Sequence, residues 1–507
     1  MSSTVLSGTV LGVEGVPVSV EVDLVRRLPR VTVVGLPASA VRESTERVRS
    51  AILAAGLDFP RMCVTVNLAP GDLRKDGTGL DLPIALGILA ASGQIPNLKL
   101  ERCLFAGELS LDGSLRGIRG ALSLAMLGSE KGLLQVVLPE GCAGEAAMVP
   151  GLEVLAATSL RQVVEWIRGK GCLPAAVAAT TLERDDCVDM ADVRGQEMAR
   201  RALEISAAGG HNLLMVGPPG VGKTMLAARL PTIMPRMSFE ESLEVTRVHS
   251  VAGLLTNFGG MVEYRPFRAP HHTISAAGLL GGARLQPGEV TLAHRGVLFL
   301  DELPEFSRGL LEQLRGPLED RLVVLSRAAG TIQFPAACML VAAANPCPCG
   351  FLGHPVVPCR CTDAMLRRYS SRLSGPLLDR IDLHITVESI ETETLFHSSQ
   401  AENSQSVRLR VESARKLQRL RFSRERATCN AELHAGNVRE AANATPQALK
   451  ALRQAVESMS LSGRGHDRIL KVSRTIADLD HSPNVQLSHI AEALAYRPNN
   501  SEYQGAA

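Results

Sequence analysis

The sequence predicts an α/β protein: an α+β unit at the N-terminus, a central unit with a parallel sheet, and a helical C-terminal part. Three observations predict it. An apolar run at 212–216 meets Gly217, Pro218, Pro219, Gly220, Val221, Gly222, Lys223 and Thr224, and a helix-forming segment follows at 225–230. Two more short apolar runs, 297–300 and 338–344, end on polar residues, Asp301-Glu302 and Asn345. Beyond about residue 400 the chain is rich in Ala, Leu and Arg at helical spacing.

At 507 residues the chain is too long for one core, and two to four domains are expected. Its 45% hydrophobic and 21% charged residues are ordinary for a soluble globular protein. No apolar run approaches the length of a membrane span, and the first residues lack a basic region of the kind that directs export. Eleven cysteines, an odd number, do not form a disulfide framework, so the cytoplasm is the expected location. The net charge of +2 gives no global signature of nucleic-acid binding. Aromatics at 3%, with Trp166 the single tryptophan, speak against a surface built on base stacking but leave Arg and Lys contacts to a phosphate backbone open.

Residues 1–167 alternate strand and helix patterns. Strands are expected at 18–24, 31–34 and 63–68, and helices at 40–55, stopped by Gly56, and at 82–92. Residues 74–81, RKDGTGLD, resemble the nucleophile loop of the Lon protease domain, and 107–115, GELSLDGSL, resemble the strand before its lysine. Aligned from Lys75-Asp76-Gly77, the nucleophile position falls on Gly79; aligned from Gly107-Glu108, the lysine position falls on Leu122. A Ser–Lys dyad needs a hydroxyl and an amine to deprotonate it, and this pair supplies neither. The resemblance therefore implies a proteolytically inactive domain of the Lon or ribosomal S5 domain 2 type. Residues 168–190 lose periodicity and are expected to be a linker. Asp192-Val193-Arg194-Gly195-Gln196 and the helical run 198–208 resemble the opening of AAA+ modules, a region that contacts adenine there.

Strand, glycine-rich loop and helix at 212–230 make a phosphate-binding P-loop. Glycines let backbone N–H groups turn inward around phosphates, and the helix N-terminus adds positive potential. Lys223 is positioned to reach the β- and γ-phosphates of ATP, and the Thr224 hydroxyl to ligate Mg²⁺. In the second motif Asp301 would hold Mg²⁺, directly or through water, and Glu302 would polarise the attacking water. Asn345 stands where AAA+ proteins carry sensor 1. Residues 374–382, SGPLLDRID, resemble the arginine-finger segment of the magnesium-chelatase and MCM branch. That resemblance implies that Arg380 enters a neighbouring subunit's site, and hence a ring, most simply a hexamer. The alternative is a structural Arg380 paired with Asp379 or Asp382.

Between the two motifs lies a long insertion with Gly and Pro, including 251–255, 265–275 and Gly281-Gly282. Adjacent His271 and His272 seldom chelate one ion, so a pore or subunit-contact loop is expected, with Arg265 and Arg268 facing phosphates. Residues 318–327 are a candidate hairpin. Cys347, Cys349, Cys359 and Cys361 form two CxC pairs, and four thiolates in that space suit tetrahedral Zn²⁺, with reduced thiols as the alternative and His354 as a substitute ligand.

In the C-terminal part, Arg408, Arg410, Arg415, Lys416, Arg419, Arg421, Arg424 and Arg426 face only Glu412 and Glu425. This is a solvated helix face or a DNA-facing one, which Arg367, Arg368 and Arg372 extend in the second case. Ile469, Val472, Ile476 and Leu479 recur at helical spacing, and Arg474 on that helix resembles sensor 2.

Taken together, the Lon-like domain, GPPGVGKT, VLFLDELPEF, NPCPCG and RGHDRILKVSRTIADL resemble the ComM/YifB family of magnesium-chelatase-like AAA+ proteins. The resemblance implies an AAA+ core at 191–395, a helical lid at 396–507, and a hexameric ATP-dependent helicase. It further implies branch migration in natural transformation, with single-stranded and branched DNA as partners. The alternative is a chelatase-like motor that remodels a protein or metal-insertion partner.

Overall fold

The computed structural model describes residues 1–75, 77–178, 188–255, 260–282, 286–327, 330–354, 356–389, 401–422, 427–459 and 461–497. Asp76, part of the linker, the junction at residues 395–396, and Arg424, Glu425 and Arg426 lie outside the described residues.

The N-terminal part carries a four-stranded sheet in the order Ser2–Leu11, Glu14–Val25, Cys63–Ala69, Arg30–Val34. Its last pair is parallel and the others antiparallel. Alternating burial along Glu14–Val25 and Cys63–Ala69 is the signature of a sheet covered on one face. The covering element is helix Asp81–Ala91, all of whose residues are buried. A second, parallel sheet of Cys103–Phe105, Gln135–Pro139 and Glu153–Ala157 was not legible from sequence; its first strand has only 3 residues. The expected linker does not begin cleanly at 168. Leu173 is buried, Ala156 donates to the Pro174 carbonyl at 2.9 Å, and Ala175 bridges to Leu155.

The central sheet is parallel throughout, in the order Phe267–Arg268, Val297–Leu300, Met339–Ala344, Leu213–Val216, Leu383–Thr386. Val297–Leu300 and Met339–Ala344 are buried at every position, as strands covered on both faces must be. Strand Leu213–Val216, first in sequence, sits between the fourth and the fifth. This reversal of strand order opens a crevice at the carboxyl ends, where α/β sheets bind ligands. Hairpin Leu322–Arg327 with Gly330–Pro335 stands beside the sheet. It shares an apolar cluster with Val13, from the turn of the first N-terminal hairpin.

Helices Ser404–Arg421, Pro446–Ser458, Gly463–Leu479 and Leu487–Ala495 complete the chain. Ile469, Val472 and Ile476 join Leu213, Val341 and Leu383 in one continuous core. Among the described residues no helix is long and apolar enough to cross a membrane.

Candidate active site

The loop Gly217–Thr224 joins strand Leu213–Val216 to helix Lys223–Ile233. Gly220 and Gly222 have φ of 83° and 91°, which side-chain-bearing residues rarely adopt. The Gly217 N–H donates to the Ala344 carbonyl at 3.2 Å, tying the loop to the end of the neighbouring strand. Lys223 Nζ donates to the carbonyls of Gly217 and Pro218 at 2.6 and 2.8 Å and to Asn345 Oδ1 at 3.1 Å. Burial lowers the lysine pKa, while Asp301 and Glu302 pull it back up. Thr224 Oγ1 donates to Asp301 Oδ2 at 2.8 Å. A hydroxyl and a carboxylate so close form an all-oxygen donor pair that suits Mg²⁺.

Glu302 has φ of 52°, and its side chain is 53% exposed. His272 Nδ1 lies 3.3 Å from its Oε2. The His272 ring packs on His271, with centroids 4.1 Å apart, and edge-on to Phe306. The adjacent histidines therefore sit beside the acidic motif, three residues past a strand too short to be read from sequence.

Several basic residues have other jobs than expected. Arg265 donates to Glu241 and to the carbonyls of Pro235 and Arg295, and Arg268 forms a two-pronged pair with Glu289. Arg408, Arg410, Arg415 and Arg421 bond to the Thr232 carbonyl, Glu204 and Glu402, the Ala207 carbonyl, and Asp478, respectively. They fasten the helix to its neighbours; Arg410, Lys416 and Arg419 of the described cluster are exposed, Arg410 while paired with Glu204 and Glu402. Arg372 pairs with Glu305 at 2.7 Å.

Arg474, the expected sensor 2, is held within its own fold. Its side chain is 2% exposed, and the guanidinium is spent on Asp478 and the carbonyls of Ala442, Ser482 and Pro483. These bonds hold it among the C-terminal helices. Arg380 is 7% exposed and donates to Glu319 Oε2 and the Pro376 carbonyl, both at 2.6 Å. Its partner is thus neither Asp379 nor Asp382; Asp382 instead accepts from the Asn212 N–H and lies 3.4 Å from Arg468. Arg464, on the same helix as Arg474 but 62% exposed, reaches within 3.6 Å of Glu319. The pairings of Glu319 with Arg380 and Arg464, and of His272 with Glu302, were not legible from sequence because each joins residues distant along the chain.

The sulfurs of Cys347, Cys349, Cys359 and Cys361 lie within 4.8 Å of one another. Cys347 to Cys349, Cys347 to Cys359 and Cys349 to Cys359 are 3.3, 3.7 and 3.6 Å apart. Zn–S bonds of about 2.3 Å in a tetrahedron require sulfur separations of about 3.8 Å, so the donor set fits. His354 is not a fifth candidate: its Nδ1 accepts the N–H groups of Val356 and Val357. In the N-terminal part Leu122 is fully buried, and Lys75 is buried with its ammonium on the Gly35 carbonyl.

Three family models match the chain. They are magnesium chelatase, subunit ChlI, over residues 189–395; subunit ChlI of Mg-chelatase over 20–141; and magnesium chelatase, subunit ChlI C-terminal, over 401–497. Competence protein ComM of Haemophilus influenzae is 42% identical over 500 residues, covering 97% of each chain. The uncharacterized protein YifB of Escherichia coli is 41% identical over 501 residues, covering 98% of this chain and 97% of that one. The chain belongs to the ComM/YifB family. Its architecture is the mixed α/β one expected, with parallel-strand sheets and a magnesium-chelatase-type AAA+ domain. Family membership points to an ATPase that uses ATP and Mg²⁺. The likeness to Lon protease 2 of Bacillus subtilis is partial, 33% identity over 147 residues, 27% of this chain and 26% of that one.

Proposed function

We propose that this protein is a cytoplasmic AAA+ ATPase that moves DNA: a hexameric helicase promoting branch migration when single-stranded DNA recombines during natural transformation. The observation that carries the ATPase half is the convergence of Lys223, Thr224, Asp301, Glu302 and Asn345 at one end of the parallel sheet. The DNA half draws on the relative named a competence protein.

The backbone N–H groups of Gly217–Thr224 and the Lys223 ammonium bind the phosphates. Thr224 and Asp301 hold Mg²⁺, which neutralises charge on the β- and γ-phosphates when bound. Glu302 takes the proton of the attacking water, and Asn345 orients it. Arg380 reaches the neighbouring subunit's γ-phosphate after exchanging Glu319 for phosphate, so ring assembly and opening of that ion pair go together. The four cysteines hold one structural Zn²⁺. In this reading residues 1–167 are an inactive Lon-like domain, 168–190 a linker whose first part packs on that domain, 191–395 the AAA+ core and 396–507 the lid.

The test is the ATPase rate with and without single-stranded or branched DNA. Stimulation together with DNA binding supports the translocase; neither effect at low salt overturns it. A chelatase-like motor acting on a protein or metal-insertion partner is the second reading, favoured by the three magnesium-chelatase matches.

A further inference from the structure

The four-cysteine cluster follows Asn345 after one residue, and what lies beyond it is weakly anchored. Helix Asp363–Ser370 buries none of its residues. Leu352, Val356 and Val357 are exposed. Within 346–362 the backbone is held by short turns, such as Gly350 N–H to the Cys347 carbonyl at 2.9 Å and His354 N–H to the Phe351 carbonyl at 3.1 Å. A segment with so little apolar burial has no strong reason to keep one conformation. A cross-link between the Cys347/Cys349 pair and the Cys359/Cys361 pair supplies that reason, by closing the loop at its base.

The same segment touches the nucleotide loop in two ways. Gly350, with φ of 83°, lies against Pro219: a Cβ built on it would stand 2.7 Å from Pro219 Cδ. Past the second cysteine pair, Tyr369 donates its hydroxyl to the Asn345 carbonyl at 3.2 Å, while Asn345 Oδ1 accepts from Lys223. One contact thus falls inside the closed loop and one after it, and both end on residues of the phosphate site.

We propose that the metal at Cys347, Cys349, Cys359 and Cys361 is a positioning element for nucleotide binding, pressing Gly350 on Pro219 and holding Asn345 at Lys223. This rests on the zinc reading above and adds a dependence of nucleotide affinity on the metal. The metal touches no substrate; it acts through the loop.

The test uses the full chain, with zinc measured by elemental analysis and ADP affinity by calorimetry. The native protein carries one zinc per chain. Cys359→Ser/Cys361→Ser loses the zinc and binds ADP about tenfold more weakly, the scale on which outer-shell partners act at metal sites. Gly350→Ala keeps the four thiols and the zinc but pushes on Pro219, and weakens ADP severalfold. A serine variant without zinc that binds ADP as the native protein does overturns the coupling and leaves the metal site standing. Native protein without zinc, before and after incubation with Zn²⁺, overturns the metal reading itself. Should the serine variant not fold, Gly350→Ala decides: zinc retained with ADP affinity unchanged overturns the coupling.

Discussion

The two ends of the central sheet treat their charged residues differently. At the carboxyl ends, Lys223, Asp301, Glu302 and Asn345 are drawn together by loops, and Glu302 keeps half its side chain in solvent. Around the helices packed on the sheet, Arg265, Arg408, Arg421 and Arg474 are consumed by carboxylates and backbone carbonyls. A guanidinium has five donors, and a partly buried one leaves a heavy desolvation cost unless most of them find acceptors. Among them Arg474 is the most completely held, by one carboxylate and three backbone carbonyls of its own fold.

Substitutions at each end break this contrast differently. Glu302→Gln should lower ATP turnover by about 10²–10⁴ while ATP still binds, because a positioned general base contributes on that scale. A turnover assay paired with ATP binding checks it, and normal turnover would sink the role of Glu302. Arg474→Ala should instead act on stability. The carbonyls of Ala442, Ser482 and Pro483 lose their donor while Asp478 keeps Arg421 and Asn430, so a cost of about 1–3 kcal/mol is expected, and thermal unfolding reads it. A variant with native unfolding temperature but lost hydrolysis would restore the sensor role.

The contact between the N-terminal part and the sheet region offers a third test. Ser250 Oγ donates to Glu145 Oε1 at 2.8 Å across that contact, and burial raises the Glu145 carboxyl from 4.5 to about 7. From about pH 4.5 to 7 the unfolded chain releases this proton while the folded chain keeps it. Stability therefore falls with rising pH through that window and levels off above it. Glu145→Gln removes the titration and should raise the unfolding free energy more at pH 8 than at pH 5, by an amount on the order of 2 kcal/mol. An equal shift at both pH values would exclude an ionised buried Glu145. The smallest effect is expected for Lys416→Gln/Arg419→Gln, within about 0.5 kcal/mol in stability because both are exposed. Any loss of DNA affinity in that variant would mark the remaining basic face as functional.

Much of the candidate site was legible because its chemistry is local. A glycine loop between strand and helix, and carboxylates at the end of a buried strand, carry their geometry in consecutive residues, so GPPGVGKT and Asp301-Glu302 could be read without a fold. The CxC pairs were legible for the same reason. The strands of 2 and 3 residues, Phe267–Arg268 and Cys103–Phe105, could not be read, since periodicity needs more positions than they have. His272 beside Glu302 went with the first of them.

By itself the sequence determined the α/β class, the phosphate loop with its acidic partner, and the family. Only the tertiary structure decided which arginines are free, because that depends on carboxylates and carbonyls far away along the chain. Arg380 on Glu319 and Arg474 on Asp478 look alike as isolated letters. Partner count tells them apart: Arg380 holds one carboxylate and one carbonyl, Arg474 one carboxylate and three carbonyls.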